Sequence, residues 1–339
     1  MRIAVLGLGF MGSTHLKALR KVPHATLAAV VSSDEKKLSG DLSAIQGNLG
    51  GPGEKMDFSA VKKYRTVAEA LADPAIDAVD ICLPTDQHAP VALAALRAGK
   101  HVLVEKPMAL DGATADLMLA EAAASGRVLM TGQVLRFIPG YRNAASTLKS
   151  GRLGAVHSAF FRRRCAAPAW SQWLGDAAKS GGGVFDLLIH DVDYCLNLFG
   201  PPAAVSASGY EAATHGIDWI LAQFHYPVIA SVAITGGWHH PKSYPFSMEF
   251  TVVSENGTLE FSSLGRPLTL YGADGATEAL EPAGESDWFQ EELAYFIDCA
   301  ANGRKPELCP PEESAMAVKV TRLMLESRSR NGEKIACRL

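Results

Sequence analysis

The sequence lacks three features that would indicate a membrane, nucleic-acid-binding or disulfide-stabilised protein. No apolar run approaches the roughly 18 residues needed to cross a bilayer. Neither charge dominates, since 32 basic residues stand against 36 acidic ones, which excludes a strongly basic nucleic-acid surface. The six cysteines include no CxxC pair and no zinc-ligand spacing, so we expect reduced thiols and no bound metal. A strand-like pattern begins directly after Met1 and leaves no room for a secretory leader, which predicts a cytoplasmic protein.

At 339 residues the chain is longer than one typical domain core, and its pattern changes partway along. Over the first 130 residues short β-branched runs alternate with helical patterns, which predicts an α/β domain with a parallel sheet covered on both faces. We place the domains at residues 1–125 and 126–339. The predicted strands of the first part are Arg2–Leu6, Thr26–Val31, Ala78–Leu83, His101–Glu105 and Val128–Gly132, and its helices are Met11–Lys21, Val67–Ala72, His88–Ala98 and Gly112–Ser125.

Longer strand-like runs and two amphipathic helices make up the second part. Asn256-Gly257 predicts a hairpin turn between two of these strands. Along Ile217–Tyr226 both faces carry large apolar side chains, which predicts helices on one face of the sheet and a second subunit on the other. The predicted strands are Val156–Arg163, Ile217–Tyr226, Ile229–Thr235, Phe246–Val253 and Thr258–Phe261, and the helices lie near Ser286–Ala301 and Glu312–Ser329.

A glycine-rich motif, Gly7-Leu8-Gly9-Phe10-Met11-Gly12, follows the first strand and opens the first helix. In this position Gly7 would permit a tight turn, Gly9 would let a pyrophosphate approach the backbone and Gly12 would allow close packing of helix on strand. The helix N-terminus, with Phe10 and Met11, would then offer N–H groups to the phosphates. A glycine turn without a ligand is the alternative, and the strand–helix–strand context favours dinucleotide binding.

The tip of the second strand is where such a domain would contact the adenosine ribose. Ser32 and Ser33 stand where an NAD-preferring site usually places an acid, and Lys37 is close by. Hydroxyl groups and a lysine could hold a 2′-phosphate, whereas Asp34 could still bind a 2′-hydroxyl. The composition therefore favours NADP and leaves NAD open.

Four polar residues form a narrow stripe on a predicted helix that is otherwise apolar. At about 100° per residue, Asp186, His190, Asp193 and Asn197 fall within an arc of roughly 60°, while Asp191 points elsewhere. Buried carboxylates are costly unless they are paired or face a wet cavity. A carboxylate one turn from a histidine suits a proton acceptor, and a satisfied core network is the competing interpretation.

Four segments of this chain resemble the Gfo/Idh/MocA oxidoreductases, which include glucose–fructose oxidoreductase and inositol dehydrogenases. They are the glycine-rich motif, Ala75–His88, the run Ala98–Pro107 that ends in Glu-Lys-Pro, and Gly181–Asp193. The resemblance covers nearly the whole chain. It implies a Rossmann domain followed by an α/β domain with a large, mostly antiparallel open sheet, whose exposed face commonly makes a dimer.

The resemblance also implies roles for individual residues. Lys106 matches the lysine of the Glu-Lys-Pro motif, often with a cis bond to the following proline, and Asp186 and His190 match the active-site aspartate and histidine. The chemistry agrees, because oxidation of a secondary alcohol needs a proton acceptor such as His190 while hydride leaves for the nicotinamide. Lys106 would stabilise the developing alkoxide and contact the substrate, and Glu105 would help to shape the nicotinamide pocket.

Other positions allow both a functional and a structural interpretation. Pro84, Thr85 and His88 lie at the tip of the predicted strand Ala78–Leu83 and could line the cofactor site, although His88 could equally only start a helix. Arg163 could recognise an anionic substrate group, or belong to a solvated strand edge. Trp170 could form an apolar wall for a sugar face, or pack under its own loop.

The sequence thus predicts an NAD(P)-dependent oxidoreductase acting on a secondary alcohol or ketone of a sugar, inositol or sugar derivative. We expect a homodimer or homotetramer that binds a small sugar or polyol, with no nucleic-acid or membrane partner. A non-catalytic dinucleotide-sensing regulator and an NAD-assisted glycoside hydrolase are the alternatives, and the retained Lys106, Asp186 and His190 count against the regulator.

Overall fold

Runs of branched apolar residues form the central strands of the first part of the chain. The computed structural model describes residues 1–47, 52–168, 171–211, 216–280 and 287–338. It contains two compact units, of which the first comprises residues 1–134 and 287–315 and the second residues 135–286 and 316–339.

The first unit contains a six-stranded parallel sheet in the order β3-β2-β1-β4-β5-β6. Its central strands are almost entirely buried, as expected for a parallel sheet with helices on both faces. The predicted Rossmann-type sheet is therefore confirmed, with one further edge strand, β3, whose Lys-Lys-Tyr sequence carries no apolar run. The strands are β1 Arg2–Leu6, β2 Thr26–Val31, β3 Lys62–Tyr64, β4 Ala78–Ile81, β5 His101–Glu105 and β6 Leu129–Gly132.

Local capping sets the ends of several helices in this unit. Thr66 and Glu69 form a reciprocal capping box at the start of α3. Asp111 caps α5, and Gly126 ends that helix in the left-handed conformation. The fourth helix begins directly after Pro84, three residues before its predicted start. The helices are α1 Phe10–Leu19, α2 Glu35–Leu38, α3 Val67–Ala72, α4 Thr85–Arg97 and α5 Gly112–Ser125, and α9 Trp288–Asn302 joins them from near the end of the chain.

The second unit contains a nine-stranded mixed sheet in the order β14-β13-β12-β11-β7-β10-β9-β8-β15. The β7–β10 pair is parallel and the other pairs are antiparallel, so the mostly antiparallel open sheet is confirmed. The strands are β7 Val156–Ala166, β8 Ala204–Tyr210, β9 Trp219–His225, β10 Ser231–His240, β11 Ser247–Ser254, β12 Gly257–Ser262, β13 Arg266–Gly272, β14 Thr277–Ala279 and β15 Ile335–Ala336.

Helices cover one face of this sheet. An edge-to-face aromatic cluster joins them to the strands, with the rings of Tyr141 and Tyr194 4.8 Å apart and Tyr141 and Phe250 5.1 Å apart. None of the described helices is long and apolar enough to cross a membrane. The helices are α6 Pro139–Lys149, α7 Ala177–Ser180, α8 Gly183–Phe199 and α10 Pro311–Ser329, with short 3-10 turns at Val134–Arg136 and Gln172–Gly175.

The opposite face of the sheet carries apolar side chains that are exposed to solvent. The two faces of β9 alternate, because Ile220 and Phe224 are buried whereas Leu221 between them is exposed. Exposed side chains on other strands of the sheet are Phe160, Tyr210, Val253 and Tyr271.

The β11–β12 hairpin forms where it was predicted, but its turn lies one residue earlier. Ser254 pairs with Gly257, which leaves Glu255 and Asn256 as the two turn residues. Gly257 is the first residue of β12, and a side chain there would meet the Tyr271 carbonyl 2.7 Å away. This close approach of a neighbouring strand explains the glycine.

Two buried ion pairs hold α8 in place. Asp191 binds the Arg163 guanidinium of β7 at 2.7 Å, and Asp193 binds Arg136 at 2.7 Å, with every one of these side chains at most 3% exposed. Burial raises the pKa of the Asp191 carboxyl, and the Arg163 charge opposes that shift. Buried charges of this kind need their partners, because a single unpaired one carries its full desolvation cost.

We expect Asp191→Asn to destabilise the second unit by about 3–5 kcal/mol, since it leaves the Arg163 cation buried without a counter-charge. Thermal and denaturant unfolding followed by tryptophan fluorescence would measure the loss. Glu278→Gln is the matched control, because its Arg152 partner is exposed and the unfolding midpoint should barely move. The double variant Asp191→Leu, Arg163→Met should recover most of the loss; equal instability of the single and double variants would contradict the ion-pair explanation.

Candidate functional site

The glycine-rich turn after β1 has the steric character that a dinucleotide requires. Gly7 has φ +98°, and a side chain there would meet the Cys82 carbonyl at 2.6 Å. A side chain on Gly12 would overlap the Gly7 carbonyl, so α1 packs directly on the turn. A Cβ on Gly9, in contrast, would meet no atom within 4 Å. The backbone at Gly9 is therefore open to an approaching ligand.

The N-terminus of α1 adjoins this open backbone. Gly9 is its N-cap residue, and no side chain in the described ranges caps the helix there. Phe10 and Met11 follow in the first turn. The positive end of the helix dipole and the first-turn N–H groups fit a diphosphate, as in known dinucleotide sites. These residues therefore fit the pyrophosphate of NAD or NADP.

The tip of β2 leads into the short helix α2. The Asp34 carboxylate accepts the backbone N–H groups of Lys36 and Lys37 at 2.9 and 3.3 Å and so caps that helix. The Ser32 hydroxyl accepts the N–H of Asp34 at 3.1 Å, and Ser33 is exposed beside it. The acidic group nearest the strand tip is thus engaged with its own backbone.

His88, at the start of α4, is buried and tied to main-chain oxygens. Its Nδ1 lies 2.7 Å from the Pro107 carbonyl and its Nε2 2.8 Å from the Leu83 carbonyl. Burial lowers the pKa of His88, and the two carbonyls oppose that shift. Pro84 and the buried Thr85 lie beside it at the N-terminus of α4. His88 therefore ties the end of β4 to the Glu-Lys-Pro turn.

The Glu-Lys-Pro turn follows β5. The Lys106–Pro107 peptide bond is cis, and the Lys106 side chain is half-buried. Glu105 is buried, its carboxylate accepts the Lys106 backbone N–H at 3.0 Å, and its other oxygen lies 3.1 Å from His15 Nε2. Burial raises the pKa of Glu105, but the close contact with His15 and the charge of its ring, with a contribution from Lys106, bring it below its usual value.

Asp186 and His190 stand out on α8 by their exposure. Within Gly183–Leu196, which the structure describes throughout, these two residues are partly exposed and all the others are buried. They are four residues apart, so their side chains lie on the same face of the helix, one turn from each other. Both a proton acceptor and a hydrogen-bonding carboxylate therefore reach the surface of an otherwise buried helix.

The four residues of the predicted stripe all lie on α8, but their surroundings differ. Asp193 is buried against Arg136, and Asn197 accepts a hydrogen bond from Lys149 at 2.7 Å. Arg163, predicted as a substrate contact, binds Asp191 instead and is buried with it. The signal for this pairing was present in the sequence, since Asp191 points away from the stripe. Trp170 lies outside the described residues.

The structure also groups His15, Asp80 and Cys82, each buried, with potential ligand atoms within 4.8 Å of one another. No sequence pattern predicts this cluster. Its signals were an aspartate inside the apolar β4 and a histidine three residues after Gly12. No periodic pattern in the sequence relates these two residues, so their proximity is seen only in the folded structure.

Comparison with known proteins assigns the chain to a family. Residues 1–133 match the model described as an oxidoreductase family with an NAD-binding Rossmann fold, and residues 141–260 match the GFO/IDH/MocA C-terminal domain. The chain is 33% identical over 252 residues to a 1,5-anhydro-D-fructose reductase from Ensifer adhaerens, covering 69% of this chain and 72% of that protein. It is 30% identical over 201 residues to myo-inositol 2-dehydrogenase from Thermotoga maritima, covering 59% of this chain and 55% of that protein.

Among solved structures, an aldose-aldose oxidoreductase from Caulobacter crescentus complexed with glycerol superimposes with a TM-score of 0.84. It is 24% identical, covers 99% of each chain, and establishes the shared fold. The glycine-rich turn, the Glu-Lys-Pro turn and the partly exposed pair on α8 thus occur in a chain whose two halves both match one family. The chain belongs to the Gfo/Idh/MocA family of NAD-dependent oxidoreductases, whose members act on CH–OH groups.

Proposed function

We propose that this protein interconverts a secondary alcohol and a ketone on a sugar, an inositol or a related polyol. The observation that carries the proposal is the partly exposed pair Asp186 and His190, one turn apart on a helix whose other residues from Gly183 to Leu196 are buried. Two relatives are named for an inositol and for an anhydro-sugar, which supports a polyol substrate.

Each residue of the proposed catalytic set has a separate task. Bound NAD or NADP would supply the hydride acceptor at its nicotinamide C4. His190 accepts the proton of the substrate hydroxyl, because imidazole is the side chain that exchanges protons near neutral pH. Asp186 orients the hydroxyl group or the imidazole. Lys106 places a positive charge beside the oxygen that becomes an alkoxide and then a carbonyl.

The cofactor would be held by the first unit. Gly7, Gly9 and Gly12 would seat the pyrophosphate with the first-turn N–H groups of Phe10 and Met11. We assign Pro84, Thr85 and Glu105 to the walls of the nicotinamide pocket. His88, bound to two carbonyl oxygens, would act there by holding the Glu-Lys-Pro turn.

Two residues outside the catalytic set have proposed roles, and so does the exposed face of the sheet. Trp170 remains a proposal from sequence, as an apolar wall for a sugar ring. For Arg163 the buried pair with Asp191 supports a role in fixing α8. The exposed apolar face of the nine-stranded sheet supports a homodimer or homotetramer, because so many exposed aromatic and aliphatic side chains favour burial.

The reaction class is tested by absorbance at 340 nm with NAD and with NADP over a panel of inositols, sugars, anhydro-sugars and sugar acids. Reduction of either cofactor with one of these polyols supports the proposal. Binding of cofactor without turnover of any panel member, in either direction, would contradict it.

His190→Ala should lower kcat by about 10²- to 10⁴-fold, since the proton acceptor is removed. The dissociation constant for NADH, measured by fluorescence, should stay close to that of the unaltered protein. Asn197→Ala, two turns along the same helix, is the matched control and should retain full turnover. A His190→Ala enzyme with unchanged kcat would remove this histidine from the mechanism.

The cofactor preference is a separate proposal, in which Ser32, Ser33 and Lys37 accommodate the 2′-phosphate of NADP. Asp34 is engaged in capping α2, which supports this choice. Ser32→Asp should weaken NADP binding by about tenfold or more relative to NAD, because the new carboxylate would repel the phosphate. Dissociation constants for both cofactors check this. Unchanged dissociation constants for both cofactors would show that the tip of β2 does not contact the adenosine ribose.

A further inference from the structure

Five ionisable groups lie buried together beneath the Glu-Lys-Pro turn of the first unit. They come from four elements: α1, β4, the end of β5, and α9. All are at most 9% exposed, and three are completely buried. The groups are His15, Asp80, Cys82, Glu105 and Glu292.

His15 stands at the centre and faces a carboxylate with each ring nitrogen. Nδ1 lies 2.9 Å from Asp80 Oδ2, and Nε2 lies 3.1 Å from Glu105 Oε1. A neutral imidazole has one N–H, so it would turn a lone pair toward one of these oxygens. Nδ1 is hydrogen-bonded to Asp80, whereas Nε2 lies within ion-pair distance of Glu105 but outside hydrogen-bond geometry. Two carboxylate neighbours are matched by the positively charged imidazolium form, which has a proton on each nitrogen.

The charges around the ring agree with this geometry. Burial by itself disfavours a charged ring, but Asp80 and the other groups around it raise the pKa of His15 well above its usual value. Burial raises the pKa of the Cys82 thiol, so it stays protonated and donates to Asp80 at 3.5 Å. The charges of Lys106 and His88 help to lower the pKa of Glu105.

Glu292 belongs to α9 and differs from the other acidic members of the cluster in its surroundings. Phe289, three residues earlier on the same helix, packs its ring 5.6 Å from the His15 ring. Glu292 is completely buried, and neither carboxyl oxygen has a hydrogen-bond partner among the described residues. Burial and repulsion by Glu105 raise its pKa well above the usual value, with His15 opposing and Asp80 adding to the rise. A neutral carboxylic acid is the form that fits this position.

The cluster reaches the proposed catalytic lysine through Glu105. One Glu105 oxygen faces His15, and the other accepts the Lys106 backbone N–H at 3.0 Å. His15 itself lies on α1, three residues after Gly12. The ring therefore connects the helix that opens at the glycine-rich turn with the turn that carries Lys106.

A metal ion is the competing occupant of this cluster, since His15, Asp80 and Cys82 are suitable ligands. A metal needs a lone pair from the imidazole, however, whereas both ring nitrogens already face carboxylate oxygens. The Cys82 sulfur also lies 3.6 Å from His15 Nδ1, on the nitrogen that meets Asp80. The geometry favours a proton between these groups.

We propose that His15 is a positioning residue: an imidazolium clamp between Asp80 and Glu105 that fixes Glu105 and, through the Lys106 N–H, the turn that carries Lys106. Glu292 completes the clamp as a neutral acid, which limits the negative charge buried with it. The expected effect on turnover rests on the proposed catalytic role of Lys106. The protonation states of His15 and Glu292 do not depend on that role.

The first experiment measures the protonation state of His15 and does not depend on enzymatic turnover. In protein labelled with ¹⁵N-histidine, both nitrogens of His15 should show the protonated chemical shift up to pH 8. Glu105→Gln, which keeps the shape and removes the charge, should move the His15 titration to lower pH. A neutral His15 at pH 7, or one equivalent of zinc in the protein as purified, would overturn the clamp.

The second experiment measures its effect on Lys106. Glu105→Gln should lower kcat about 10- to 100-fold, as for other supporting hydrogen-bond partners. In a Lys106→Ala background the same substitution should have no further effect. Glu105→Asp should restore part of the rate. His101→Gln, at the opposite end of β5, is the control and should leave kcat unchanged.

Full additivity of the Glu105 and Lys106 substitutions would overturn the positioning role. If the wild-type protein oxidised no polyol at all, the proposed function would fail, and the histidine titration would still decide the clamp.

The third experiment concerns the proton on Glu292. A carboxyl whose pKa is raised by folding makes its stabilising contribution at low pH, and the contribution is lost as pH rises from the unfolded value toward the folded one. Glu292→Gln cannot ionise and lacks this pH dependence. The unfolding midpoint of the wild type should therefore fall relative to that of the variant as the pH rises above 4.5. A difference that is the same at every pH would overturn the neutral-acid assignment.

Discussion

Charge that is removed from water has to be neutralised where it lies, and this constraint shapes both units. In the second unit, Asp191 and Asp193 neutralise two buried arginines and thereby fix α8. In the first, a buried imidazole is enclosed by carboxylates beneath the Glu-Lys-Pro turn. In both units the buried pairs lie behind groups that remain accessible, namely Asp186 and His190 in one and Lys106 in the other. Buried pairs of this kind hold the helix or turn that carries a reactive side chain, and they leave that side chain available to a ligand.

Steric limits have an equally direct role at the glycine-rich turn. Two of its glycines are required because backbone carbonyls come too close for any side chain, and the third leaves an open surface. The same motif thus combines tight packing on one side with an accessible backbone on the other. That combination is what a dinucleotide-binding domain needs, since the pyrophosphate is recognised by main-chain N–H groups.

Much of the fold could be predicted from sequence, because the relevant information is local. The bounds of β1, β2, α3 and α5 match the prediction, since apolar runs and capping residues mark their ends. The edge strand β3 was not predicted because its residues are polar and mostly exposed, and it is a strand only because it pairs with β2. The hairpin turn was predicted one residue too late. Gly257 is a glycine because a neighbouring strand packs closely against it, and not because it lies in the turn.

The candidate site was predictable to the extent that helical spacing could place its residues. Asp186 and His190 share a face because of their separation, whatever surrounds the helix. Whether Asp193 faces a ligand or an arginine depends on Arg136, which is distant in sequence. The partners of His15 are likewise distant, 65 residues away for Asp80. Pairings of this kind are decided by tertiary structure, so the pattern of one chain segment cannot reveal them.

The parallel pairing of β7 with β10 has a consequence for how α8 can move. Parallel neighbours need a long crossover, and here the crossover contains α8 together with β8 and β9. The helix is therefore enclosed in a loop whose two ends are joined by a continuous ladder of main-chain hydrogen bonds. To displace α8 along its axis, the chain would have to break that ladder or stretch a connection on either side of it. Closure of this loop also requires contacts between distant segments, which slow folding relative to a unit built from local contacts.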